Sequence, residues 1–115
     1  MESAQLNTLV LEALDDLKAN NVVSLDVTEL TDVTDYVIVA SGTSNRHVKA
    51  LANNITDEAK QQGVRPLGVE GQSGSEWILV DLGAVVAHVM LPATRDFYDL
   101  ERLWSDVPAN TGEEE

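Results

Sequence analysis

The chain has no cysteine, which excludes disulfides and thiolate metal sites. It has no apolar run near the roughly 18–20 residues that cross a bilayer. Its start, MESAQLNTL, lacks the basic and apolar regions of a secretory signal. At 115 residues, the length suits one domain with a single modest core. We therefore expect a cytoplasmic protein.

Basic residues are also scarce. Seven Lys and Arg face 20 Asp and Glu, which gives a formal net charge of −13. Such a surface repels phosphate backbones and anionic membranes, so neither nucleic acid nor a membrane is an expected direct partner. A basic protein would be attracted and its encounter accelerated. Plain solubility is the competing explanation of this charge.

Groups that carry catalysis or bind metals are few. His47 and His88 are the two histidines, and neither belongs to a His-x-x-x-His or His-Glu pattern. Ser73 and Ser75 lie in a glycine-rich loop without a Gly-x-Ser-x-Gly elbow. We therefore expect no catalytic residue, no metal and no cofactor.

One polar turn, SGTSNRH at residues 41–47, leaves two further interpretations open. A backbone nest there, helped by Arg46, His47 and Lys49, could bind an anion, although P-loop spacing is missing. The turn also has a weak likeness to nucleotidyltransferases, which need paired acidic metal ligands on a neighbouring strand. The strand EWILVDLG offers only Asp81 in its interior, so the pair is missing. A solvated polar turn is the simpler interpretation.

Two stretches show helical periodicity. Apolar residues recur at helical spacing over Leu6–Leu17, with Ser3 as the expected N-cap. A second apolar stripe follows the SGTSNRH turn. This helix is expected to be capped by Ser44 or Thr43 and to end at Gly63.

Strand patterns fill most of the remaining chain. Val23–Val27 alternates as a half-buried strand, and the run Tyr36–Ala40 suits a central strand covered on both faces. Arg65–Val69 is expected to be a short edge strand, and Glu76–Met90 a hairpin. The order α-β-β-α-β-β-β-α predicts an α/β fold. Its mixed β-sheet carries two long helices packed on one face and a short C-terminal helix.

The hairpin has two faces of different character. With a two-residue turn at Leu82-Gly83, Trp77 would oppose His88. One face is purely aliphatic and predicts core: Ile78, Val80, Val85, Ala87, Val89 and Leu91. The other is apolar but mixed, and we expect it to stay partly uncovered: Trp77, Leu79, Asp81, Val86, His88 and Met90. Trp and Met are enriched at protein interfaces, so this face predicts a contact surface. The alternative is that the C-terminal helix covers it.

The end of the chain changes composition. Ala93–Trp104 is expected to be helical, whereas residues 105–115, SDVPANTGEEE, are polar and acidic and are expected to be disordered. We therefore expect one domain over residues 1–104 and an acidic tail over 105–115.

Two long blocks carry a family resemblance: TDYVIVASGTSNRHVKALA and EWILVDLGAVVAHVMLPATRDFYDLERLW. Together they closely resemble the ribosomal silencing factor family, also called Iojap-like. The resemblance implies a non-enzymatic regulator that binds the large ribosomal subunit through universal ribosomal protein fourteen. Bound there, it would sterically block joining of the small subunit and repress translation under nutrient limitation. The resemblance also implies a nucleotidyltransferase-like topology and a tendency to form homodimers.

The resemblance assigns partner-binding roles to particular residues. They are Trp77, Asp81, Leu82, His88, Met90 and Pro92, followed by Arg95, Asp96 and Tyr98. Family members often have an aromatic residue where this chain has Leu82 and an acidic one where it has Ala84, so the turn contact is expected to be less polar here. A nucleotidyltransferase-like enzyme and a plain dimerisation module are the alternative functions.

Overall fold

The structure, a computed structural model, describes residues 1–98, and of Phe97 and Tyr98 only the backbone. Its elements are α1 (Ser3–Asp16), β1 (Asn20–Asp26), β2 (Tyr36–Ser41), α2 (Asn45–Gln61), β3 (Gly68–Glu70), β4 (Trp77–Asp81), β5 (Val85–Met90) and α3 (Pro92–Tyr98). The expected order of helices and strands is confirmed. The rest of the expected C-terminal helix and the acidic tail at 105–115 lie outside the described residues.

The five strands form one mixed sheet in the order β1-β2-β5-β4-β3. Strands β2 and β5 are parallel, and the other neighbours are antiparallel. β2 lies between β1 and β5, and all its residues after Tyr36 are buried, which confirms a strand covered on both faces. β3 is at the edge of the sheet, as Pro66 before it led us to expect.

Helices α1 and α2 contact each other and pack on the same face of the sheet. Their apolar stripes meet the aliphatic side of the strands, and this forms the main core. Its buried members include Leu6, Val10, Ala13 and Leu14 of α1; Val48, Leu51, Ala52, Ile55 and Ala59 of α2; and Ile38, Ile78, Val80, Val85, Ala87 and Val89 of the sheet. The expected fold class, with two long helices on one face, is confirmed.

The helix ends follow local chemistry, with one exception. The Ser44 side chain accepts a hydrogen bond from the His47 backbone N–H at 3.1 Å and caps α2 as expected. Gly63 follows α2 with φ +81°, a left-handed conformation that favours glycine. The expected Ser3 cap of α1 is wrong: Glu2 is the N-cap, and the Ser3 hydroxyl donates to the Asp35 carboxylate instead. A carboxylate brought close by the fold offers a strong acceptor that local sequence does not reveal.

The hairpin register differs from the expected one. Trp77 pairs with Met90, Leu79 with His88 and Asp81 with Val86. The turn is centred on Gly83 and Ala84, and the Leu82 N–H donates to the Val85 carbonyl at 2.9 Å. Gly83, with φ +88°, supplies the left-handed residue. This shifts Trp77 two residues along its partner strand, and a shift of two leaves each side chain on its original face.

Candidate partner-binding face

The side of the hairpin that points away from α1 and α2 is here called the outer face. It consists of Trp77, Leu79 and Asp81 of β4 and Val86, His88 and Met90 of β5. Five of these six residues are half-buried, and Met90 is fully buried. The outer face is therefore a largely apolar surface that is only partly buried.

Met90 belongs to a second, smaller apolar cluster. Its buried members are Leu25, Val27, Val37, Val39 and Met90, and the half-buried Val23 and Trp77 pack against them. The expectation that Met90 stays partly uncovered is wrong, because its exposure is 0 %. The cause is packing within this cluster, to which β1 contributes Leu25 and β2 contributes Val37 and Val39. Trp77 and His88 are half-buried, as expected.

Trp77 and His88 form a polar pair on the outer face. The indole Nε1–H of Trp77 donates to Nδ1 of His88 at 3.0 Å, and the two ring centroids are 5.9 Å apart. Burial lowers the pKa of His88 to about 4, so the ring is neutral at pH 7. The pair is thus a fixed, uncharged unit among aliphatic neighbours.

Leu82 and Asp81 stabilise the hairpin turn. Leu82 is only 6 % exposed and packs in the main core, and its expected partner contact stays a prediction. The Asp81 carboxylate accepts a hydrogen bond from the Gly83 N–H at 2.9 Å. This bond turns the carboxylate toward its own backbone, a common arrangement for aspartate in turns.

Arg95 is buried rather than displayed. It is 8 % exposed, and its Nη1 donates to the Asn21 carbonyl at 2.7 Å and to the Ser41 hydroxyl at 3.0 Å. These bonds join α3 to β1 and β2, so Arg95 anchors the helix, and its expected partner contact stays a prediction. Pro92 and Asp96 of the same helix are exposed. The Tyr98 side chain lies outside the described part of the chain.

The residues considered for nucleotidyl transfer are not brought together. Ser41, which begins SGTS, pairs with Met90, whereas Asp81 pairs with Val86 at the other end of the hairpin. Four residues of strand separate these positions, roughly 13 Å at the usual rise. Within residues 1–98, no group of three or more His, Asp or Glu is placed to hold a metal ion.

His47 links α2 to α1. Its Nδ1 lies 2.9 Å from the Thr43 backbone N–H, which donates to it, and its Nε2 is 2.7 Å from the Leu17 carbonyl. The Thr43 N–H that an anion nest would need is therefore already used. The structure supports the interpretation of SGTSNRH as a polar turn with internal hydrogen bonds.

Sequence reasoning missed several residues that shape the outer face. Leu79 and Val86 were placed on this face but not among the expected contacts, although the period-2 alternation already grouped them with Trp77. Asn21 and Ser41, which hold Arg95, carry no local signal. They lie 74 and 54 positions from it in the chain.

Comparison with known proteins identifies the class. The family model described as "Ribosomal silencing factor during starvation" matches residues 1–115. A ribosomal silencing factor from Chromobacterium violaceum is 50% identical over 104 residues, covering 90% of this chain and 85% of that protein. A mouse protein named "Mitochondrial assembly of ribosomal large subunit protein 1" is 40% identical over 75 residues, covering 63% of this chain and 33% of its own length.

A solved structure shares the fold. The crystal structure of a protein from Chromobacterium violaceum matches with a TM-score of 0.89 and 46% identity, covering 100% of this chain and 91% of that one. The fold described above is thus that of a small mixed-sheet protein of this class. The chain belongs to the ribosomal silencing factor family. Within residues 1–98, no helix is long and apolar enough to cross a membrane.

Proposed function

We propose that this chain binds the large ribosomal subunit through universal ribosomal protein fourteen and sterically blocks joining of the small subunit. Translation would thereby be repressed under nutrient limitation. The observation that carries the proposal is the half-buried outer face on a chain with a net charge of −13. The acidic surface repels ribosomal RNA and favours encounter with a basic ribosomal protein.

The proposed contact has a centre, further contacts and supporting residues. Trp77 and His88, together with Leu79 and Val86, supply the apolar and aromatic centre typical of binding hot spots. We propose Asp81, Pro92, Asp96 and Tyr98 as further contacts, and Leu82, Met90 and Arg95 as supports of the surface.

Steric obstruction needs affinity and bulk, not a reacting group, so we propose a non-enzymatic, cytoplasmic factor whose functional domain is residues 1–104.

Homodimerisation through the outer face is a competing use of the same surface. Sedimentation of the protein alone and with large subunits would separate the two. Heat released on mixing with nucleoside triphosphate and Mg²⁺ would instead favour the enzyme alternative.

The decisive experiment measures subunit joining with purified large and small ribosomal subunits. The wild-type protein should bind large subunits and reduce joining. Trp77→Ala should weaken binding by about 2 kcal/mol or more, roughly 30-fold in affinity. Since Trp77 also packs on the Met90 cluster, Leu79→Glu serves as a second variant of the face, and urea unfolding checks both folds.

Lys49→Ala is the matched control, because Lys49 is exposed on α2, the helix that packs on the opposite side of the sheet. It should block joining as well as the wild type does. If Trp77→Ala and Leu79→Glu also block joining at wild-type concentrations, the outer face is not the contact. If the wild-type protein does not bind large subunits, the proposed function is wrong.

A further inference from the structure

The hydrogen bond between Trp77 and His88 determines where the proton sits on the histidine ring. An indole nitrogen can only donate, so Nδ1 of His88 must be the unprotonated acceptor of this 3.0 Å bond. Burial lowers the pKa of His88 to about 4 and keeps the ring neutral at pH 7. A neutral imidazole carries one proton, which must therefore be on Nε2.

Within residues 1–98, no hydrogen bond uses the Nε2–H of His88. Among residues 1–98, His88 has Trp77 as its hydrogen-bonding partner, and that bond occupies Nδ1. No buried side-chain nitrogen or oxygen in this part of the chain lacks a partner, so Nε2 is in contact with solvent. The outer face thus presents one oriented donor beside half-buried Leu79 and Val86.

We propose that this Nε2–H is a specificity-determining group, which requires a neutral oxygen acceptor on the partner protein, most simply a main-chain carbonyl. Trp77 is its positioning residue, because it holds the ring in the tautomer that donates outward. A partner that covers the face removes the donor from water, and a donor left unpaired weakens binding. A carboxylate acceptor is disfavoured by Asp81 on the same face and by the net charge of −13.

This inference rests on the proposed function, but its first test does not need a partner. Long-range ¹⁵N–¹H correlation spectra of the full-length, ¹⁵N-labelled protein at pH 7 report which ring nitrogen carries the proton. The wild type should show His88 only as the Nε2–H tautomer. Trp77→Phe retains an aromatic ring but removes the donor, and both tautomers should then appear. A wild-type His88 protonated on Nδ1 would overturn the inference.

The second test measures binding to purified large ribosomal subunits. His88→Phe and His88→Met both remove the donor but differ in shape, and each should bind about tenfold more weakly or worse. His88→Gln should recover much of the loss, since its amide oxygen can accept from Trp77 while its NH₂ group donates outward. Lys49→Ala should bind as the wild type does.

The outcomes separate the two proposals. If the wild type binds and either donor-free variant binds equally well, the role of Nε2–H is wrong and the proposed function stands. If His88→Gln is no better than His88→Phe and His88→Met, the ring's shape rather than its donor matters, and the inference is again wrong. If the wild type fails to bind large subunits, the proposed function and its partner fall, whereas the tautomer spectra still decide how Trp77 orients His88.

Discussion

Arg95 Nη1 donates to the backbone carbonyl of Asn21 across 2.7 Å, joining α3 to the first strand of the sheet. Asn21 lies in a bulge, where the register of β1 against β2 shifts between Asn20 and Val23, and its φ is +50°. A bulge leaves a residue outside the regular strand ladder. The guanidinium bonds the carbonyl of this residue and holds α3 at the end of β2, beside the outer face.

The anchor predicts a clear stability effect for Arg95→Met. The substitution removes the hydrogen bonds that Arg95 donates to the Asn21 carbonyl and to the buried Ser41 hydroxyl. The free energy of unfolding should therefore fall by about 1–3 kcal/mol. The same substitution at exposed Arg46 should change it by less than about 0.5 kcal/mol. Urea unfolding measures both, and equal effects would show that Arg95 is not an anchor.

Met90 should behave as a core residue. Because it is 0 % exposed in the second apolar cluster, Met90→Ala should lower the free energy of unfolding by about 2–5 kcal/mol. Leu67, with 75 % exposure, is the control, and Leu67→Ala should cost less than about 0.5 kcal/mol. A Met90→Ala variant that unfolds like the wild type but binds large subunits poorly would instead make Met90 a direct contact.

The loop before Trp77 depends on Gly71. A Cβ at this position would lie 2.0 Å from the Trp77 carbonyl oxygen, and its φ is +90°. Gly71→Ala should therefore lower stability by more than about 1 kcal/mol. Gly74, in the same loop, has no atom within 4 Å of its Cβ position and no positive φ, so Gly74→Ala should not destabilise the fold. Thermal unfolding of the two variants side by side tests this difference, and similar midpoints would contradict it.

The His88 ring should make stability depend on pH in a defined window. Burial lowers its pKa from 6.5 to about 4 in the folded protein. Between these values the unfolded chain binds the proton and the folded chain does not, so the free energy of unfolding falls as pH decreases from 6.5 to 4. The maximum loss is about 3 kcal/mol.

Many carboxylates also titrate near pH 4, the lower end of this window. Comparing the wild type with His88→Gln therefore isolates the contribution of the His88 ring to the pH dependence of stability. Urea unfolding at several pH values should show the wild type losing more stability than the variant between pH 6.5 and 4. Parallel curves for the two proteins would show that His88 is not buried as a neutral ring.

Local sequence determined the elements and the division of the hairpin into faces. Helical spacing, the Ser44 cap and Gly63 identified α2, and the β-branched run of β2 identified a central strand. Alternation placed Trp77 and His88 on one side even though their expected pairing was wrong by two residues. Such features depend on interactions between near neighbours and on the fixed period of side chains along a strand. They can therefore be predicted from the sequence alone.

Tertiary structure alone decided which of these residues are available to a partner. Whether Met90, Leu82 and Arg95 are exposed depends on packing against residues far away in the chain, as the Arg95 bonds to Asn21 and Ser41 show. The separation of SGTS from Asp81 follows from the strand order. The position of the proton on the His88 ring follows from its hydrogen bond with Trp77 on the neighbouring strand. Burial and these side-chain hydrogen bonds depend on how the helices pack on the sheet. They join residues that are far apart in the sequence, so no local stretch of sequence predicts them.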